Sequence, residues 1–71
     1  MAIIEKVEIK EGFITLGQFL KLVDLISSGG EVKFFLSENT ILINHEVDSR
    51  RGRKLYKGDL IEVASKTYQI C

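Results

Sequence analysis

The sequence predicts a single α+β domain in which two helices pack on one face of a small antiparallel sheet of short strands. Three observations carry this. Apolar residues recur three and four positions apart from Leu16 to Ile26, the period of a helix buried along one side. Beyond residue 39 the pattern changes to short β-branched and apolar runs divided by turn residues, and consecutive short strands joined by tight turns pair antiparallel. The chain has 71 residues, of which 45% are hydrophobic and 28% charged, enough for one core and too little for two.

The elements follow in order. Residues 2–10 read as a strand, with Val7 and Ile9 on one face and Glu8 and Lys10 on the other. Gly12 interrupts it, and Phe13-Ile14 lead into the first helix. Thr15 is the N-cap, and Gln18 three residues on completes a T-x-x-Q capping box. Leu16, Phe19, Leu20, Val23 and Ile26 form the buried face, Leu22 and Leu25 widen it, and Lys21 and Asp24 lie outside. Ser27-Ser28-Gly29-Gly30 ends this helix, and Ser28 with Glu31 forms an S-x-x-E box that opens the second. There Val32, Phe35 and Leu36 face inward, Lys33 points away and Phe34 packs against the N-terminal strand. Asn39 terminates the helix. Thr40 to Asn44 is a strand, Asn44-His45 a tight turn, and Glu46-Val47-Asp48 runs out into a basic segment. Gly58-Asp59 is another turn, in which the carboxylate bonds neighbouring backbone N–H groups. Leu60 to Ala64 and Lys66 to Ile70 are the last strands.

Composition excludes several function classes. The one cysteine, Cys71, and the one histidine, His45, supply neither a disulfide framework nor a cysteine- or histidine-based metal centre. Nor do they make a nucleophile pair without further partners. No apolar run is long enough to cross a membrane, and the first residues lack the basic start and long apolar stretch of a secretory signal. The expected setting is a reduced cytoplasm.

Formal net charge is zero, but the charge is unevenly spread. Residues 1–49 carry four lysines against eight acidic side chains, whereas Arg50, Arg51, Arg53, Lys54 and Lys57 stand within eight positions that hold no acid. A run of charge is usually a solvated loop. Here three arginines fall within four positions around Gly52, and guanidinium groups present a planar fork of donors to phosphate oxygens. The start of the second helix, Ser28-Gly29-Gly30, is a helix–helix corner in any case. It also exposes free N–H groups at the positive end of a helix dipole, a natural place for an anion, with Lys33 one turn in. Tyr56, beside the basic run, is the aromatic placed for base stacking.

From Phe13 to Val63 the chain resembles the S4 RNA-binding domain, also known as the alpha-L motif. The resemblance is carried by Ile14-Thr15-Leu16-Gly17-Gln18-Phe19-Leu20-Lys21, by Ser28-Gly29-Gly30-Glu31-Val32-Lys33 and by Ile41-Leu42-Ile43-Asn44. It closes with Arg50-Arg51-Gly52-Arg53-Lys54-Leu55 and Lys57-Gly58-Asp59-Leu60-Ile61. It is closer still to the small stand-alone bacterial members of the YaaA or YbcJ type. One departure stands out: the family usually has Gly after the strand Asn, where this chain has His45. Because a type I′ turn needs positive φ at both central residues, the resemblance leaves a longer or differently shaped turn to be expected here.

The resemblance implies one domain over residues 1–71 with its motif core at 13–63, and a corner and basic loop that share one surface. It implies a monomeric, non-catalytic protein that binds structured RNA, specifically ribosomal RNA or an assembling ribosomal subunit in a bacterial cytoplasm. The RNA-binding residues on this reading are Ser28, Gly29, Gly30, Lys33, Arg50, Arg51, Arg53, Lys54 and Lys57. No cofactor, metal, membrane or small-molecule substrate is expected. The alternative is a protein-interaction module that docks an acidic partner on the same basic loop. An enzyme ranks third, since no nucleophile, base and orienting group can be assembled from these residues.

Overall fold

The computed structural model describes residues 3–71. Among the described residues, seven strands and two helices follow one another: β1 (Ile4–Val7), β2 (Phe13–Thr15), α1 (Leu16–Leu22), α2 (Val32–Glu38), β3 (Leu42–Ile43), β4 (Glu46–Val47), β5 (Lys54–Tyr56), β6 (Leu60–Val63) and β7 (Lys66–Ile70). A single 3-10 turn, Gly29–Glu31, leads into α2. The α+β class stands. The sheet itself is mixed rather than antiparallel, in the order β1-β7-β6-β3-β4, because β1 runs parallel to β7 with Val7 opposite Ile70. The other pairs are antiparallel. A second, two-stranded ribbon joins β2 to β5.

The core lies between the helices and one face of the sheet. Leu16, Phe19 and Leu20 of α1 and Val32 of α2 are buried with Ile43, Ile61, Val63, Tyr68 and Ile70 from alternate strand positions. Phe19 meets Tyr68 edge to face with ring centroids 5.2 Å apart, and this pair joins α1 to β7.

The capping box forms as expected: Gln18 N–H donates to Thr15 Oγ1 at 3.2 Å, and Thr15 N–H donates to Gln18 Oε1 at 2.9 Å. Asn39 caps α2 through its backbone and side-chain N–H groups, each donating to the Phe35 carbonyl.

Five local expectations are corrected. The first helix ends at Leu22, not at the Ser-Gly segment, because Asp24 takes φ 61° and the chain closes a Schellman motif. Leu25 N–H donates to the Leu20 carbonyl, and Asp24 N–H to that of Lys21. Leu22 consequently lies exposed. Phe13-Ile14 form the ribbon strand rather than a helix entry. Phe34 is 68% exposed and does not pack against β1. The strand predicted from residue 2 is β1, Ile4–Val7, and its start at Ala2 lies outside the described residues.

The fifth correction concerns the turn at His45, which is neither longer nor differently shaped. Ile43 pairs with Glu46, leaving Asn44 and His45 as a two-residue loop with φ 53° and 70°. Those are the type I′ values that glycine would adopt more easily. His45 Nδ1 lies 3.2 Å from Glu62 Oε1 on the neighbouring strand.

Two outcomes test this packing. Phe19→Ala is expected to cost about 3–5 kcal/mol, since it opens a cavity at the junction of α1 and β7. Urea unfolding measures it, and a loss under 1 kcal/mol would show that the Phe19–Tyr68 contact is not central. Ala64 and Ser65 also hold positive φ, at 52° and 65°, between Val63 and Lys66, which pair directly. Replacing them by Asn-Gly removes left-handed strain of about 1–2 kcal/mol. A melting temperature unchanged or lowered in that variant would contradict the turn geometry.

Candidate functional site

The basic segment is a structured loop built on α1. The first N–H groups of a helix have no partner within it. In this domain Leu16 N–H donates to the Arg53 carbonyl at 2.8 Å, and Gly17 N–H to the Arg51 carbonyl at 3.0 Å. The loop backbone therefore faces inward at residues 51 and 53. Its other end is fixed by Asp48, whose N–H donates to the Ile41 carbonyl at 3.0 Å.

Asp48 organises the arginines. Its Oδ1 accepts from Arg50 N–H at 3.0 Å and from Arg50 Nε at 3.2 Å. Its Oδ2 accepts from Arg50 Nη2 at 2.9 Å and from Arg53 Nη1 at 2.8 Å. The Asp48 side chain is nearly buried, Arg53 is partly so, and Arg50 is open to solvent. Sequence reasoning missed this clamp, although an acid two residues before Arg50 has Asx-turn spacing. Among the described residues, Arg51, Lys54, Lys57 and Lys33 form no ion pair.

The structure brings Lys33 and Arg51 together. They line an open groove of about 400 Å³ with Leu36, Ser37 and Ser49, so the side of α2 and the basic loop share a surface. A second depression is lined by Arg50, Gly52 and Arg53 of the same loop with Lys54 and Tyr56 of β5. Ser28, Gly29 and Gly30 are exposed at the start of α2, but their corner is not bare. The Glu31 carboxylate accepts from the N–H groups of Ser27 and Ser28, so an acid occupies part of the expected anion position. Neither the groove nor the depression is lined by Ser28, Gly29, Gly30 or Lys57.

Lys57 stands at the turn between β5 and β6. Gly58 takes φ 98°, a value glycine reaches without strain. Asp59 accepts from Tyr56 N–H through Oδ2 at 2.8 Å and from Asn44 Nδ2 through Oδ1 at 3.1 Å. The predicted turn role of Asp59 is thus what its carboxylate performs.

The sequence profile of the S4 domain matches residues 7–71. This chain belongs to the S4 domain family. It is 60% identical over 57 residues to a Bacillus subtilis (strain 168) protein named probable ribosome maturation protein RlbA, and the match spans 80% of each chain.

Within this S4 domain the chemistry on offer is recognition of anions by guanidinium and ammonium groups. Among the described residues no three His, Cys, Asp or Glu side chains gather as a metal site. Among the same residues no helix is long and apolar enough to cross a membrane.

The Asp48 clamp carries its own test. Hydrogen bonds from the Arg50 side chain, then from its backbone, hold the Asp48 carboxyl well below the usual carboxylate range; burial opposes them and Arg53 adds to them. A depressed carboxylate contributes stability that is complete above about pH 4 and is lost as the pH falls further. Asp48→Asn should therefore cost about 1 kcal/mol at pH 7, a modest figure because Arg50 is solvent-screened. The difference from wild type should shrink at pH 3. Equal gaps at the two pH values, by urea unfolding, would show that the clamp is not ionic.

Proposed function

We propose that this S4 domain binds structured RNA, specifically ribosomal RNA or an assembling ribosomal subunit, and that it does so without catalysis, as a monomer in a bacterial cytoplasm. The observation that carries the reading is the meeting of Arg51 with Lys33 across one groove, beside a loop whose cations outnumber its acids. The name of the 60% identical relative supports the ribosomal partner.

The phosphate backbone supplies affinity and RNA shape supplies selectivity. Arg51, Lys33, Lys54 and Lys57, which make no ion pair among the described residues, contact phosphates directly. Arg50 and Arg53 present their remaining donors from the Asp48 clamp. Ser28, Gly29 and Gly30 border the surface next to Lys33 and let the RNA backbone approach. The acidic remainder repels RNA and so orients the domain.

Four phosphate contacts give a slope of log affinity against log salt between about −2.8 and −3.6. Arg51→Ala should reduce that slope by about 0.7–0.9 while changing stability by no more than about 0.5 kcal/mol. Filter binding with a ribosomal RNA fragment, paired with thermal melting, reads the two quantities. Salt-independent binding would end the electrostatic mechanism. Capture of a partner from cells that resists ribonuclease would favour an acidic protein instead.

A further inference from the structure

The outer face of the β2–β5 ribbon carries an aromatic pair that the core does not use. Strand alternation sends Ile14 and Leu55 inward, and Leu55 is fully buried. The same alternation leaves Phe13, Thr15, Lys54 and Tyr56 on the other face. Phe13 and Tyr56 are direct cross-strand neighbours with ring centroids 6.0 Å apart and planes tilted by 49°. Phe13 is 37% exposed and Tyr56 50% exposed. The Lys54 ammonium sits 5.0 Å from the centre of the Phe13 ring.

This pair lies beside the basic loop. Tyr56 and Lys54 line one depression with Arg50, Gly52 and Arg53. Gly52 has neither a positive φ nor any neighbour that a Cβ would meet, so the fold itself does not demand glycine there. A missing side chain at that point keeps the way to the Tyr56 ring open.

We infer that Phe13 and Tyr56 form a stacking seat for one unpaired nucleobase, whose flanking phosphates lie on Lys54 and the basic loop. The inference rests on the RNA reading above and narrows it to RNA with an unstacked nucleotide next to a helix. An exposed aromatic face offers a base the contact it loses on leaving its own stack, and guanidinium and ammonium groups beside it match the phosphates on either side. A perfect duplex offers phosphates to the loop and nothing to the rings.

The test uses the full chain and three RNA hairpins of equal length: one with a single bulged nucleotide, one with that nucleotide abasic, and one fully paired. Wild type should bind the bulged hairpin about five- to hundredfold more tightly than the other two. Tyr56→Leu keeps apolar bulk in the strand but has no π face, and it should abolish the preference while retaining binding to all three hairpins. Tyr56→Phe should keep it. The chain contains no tryptophan. Tyr56→Trp therefore gives a single reporter, and the bulged hairpin should quench it where the abasic hairpin does not. Equal wild-type affinity for the three hairpins would overturn the seat and leave the phosphate surface standing. So would a bulge preference that survives in Tyr56→Leu. Failure of wild type to bind any hairpin would overturn the RNA reading itself.

Discussion

Two backbone carbonyls, those of Arg51 and Arg53, hold the basic loop of this domain to its core. Leu16 is fully buried, so water cannot serve its N–H, and an unmet buried donor costs about 1–3 kcal/mol. The Arg53 carbonyl satisfies Leu16, the Arg51 carbonyl satisfies Gly17, and Thr15 Oγ1 satisfies Gln18. The start of α1 thereby has its acceptors from one threonine and one loop. The consequence runs outward. A loop whose carbonyls are turned in at residues 51 and 53 cannot shift without uncapping the central helix. A Cβ at Gly17 would lie 3.5 Å from the Arg51 carbonyl and 3.7 Å from Val32, so loop, α1 and the start of α2 converge there. This junction is what brings Lys33 and Arg51 to one groove.

Charge within the loop is managed by a single acid. Five cations in eight positions repel one another, and without a counter-charge the loop would spread. Asp48 binds Arg50 and Arg53 together and is itself fixed to the Ile41 carbonyl just before β3. The clamp gives up part of the attraction that two free guanidinium groups would exert. In return the loop keeps one shape, so that on the proposed reading an RNA meets a surface already formed and less ordering is charged against its binding.

Much of this was legible in the residues, and the parts that were not share a physical cause. The T-x-x-Q box, the Asn39 stop, the Gly58-Asp59 turn and the last strand depend on neighbours in sequence, and each sits where the pattern puts it; the strand expected to reach Ala64 stops at Val63, because Ala64 takes a positive φ in the turn. The parallel β1–β7 pair depends on residues more than sixty positions apart, and local patterning does not register it. The end of α1 is not visible in the sequence, because Asp24 rather than a glycine takes the left-handed position. The same holds at His45, where the pairing of β3 with β4 imposes the turn shape and overrides the residue's preference. The basic residues were visible as a run, but division into clamped Arg50 and Arg53 and unpaired Arg51 depends on where Asp48 points. The pairing of Phe13 with Tyr56 joins residues 43 positions apart, and local pattern carries no sign of it.

Glu31 decides what the glycine corner contributes. A helix start offers about half a positive charge, and α2 is only seven residues long behind a 3-10 turn. The Glu31 carboxylate brings a full negative charge to the adjoining N–H groups of Ser27 and Ser28, just before that helix start. The balance at the corner is negative before Lys33 is counted, so the dipole alone does not hold a phosphate there. Positive charge on that side comes from Lys33, and from Arg51 across the groove. On the proposed reading Gly29 and Gly30 act by clearance: a Cβ at Gly29 would meet nothing within 4 Å, and one at Gly30 only Ser28 Oγ at 3.9 Å. The corner is open space beside a lysine, and the affinity it lends an anion is that of the lysine.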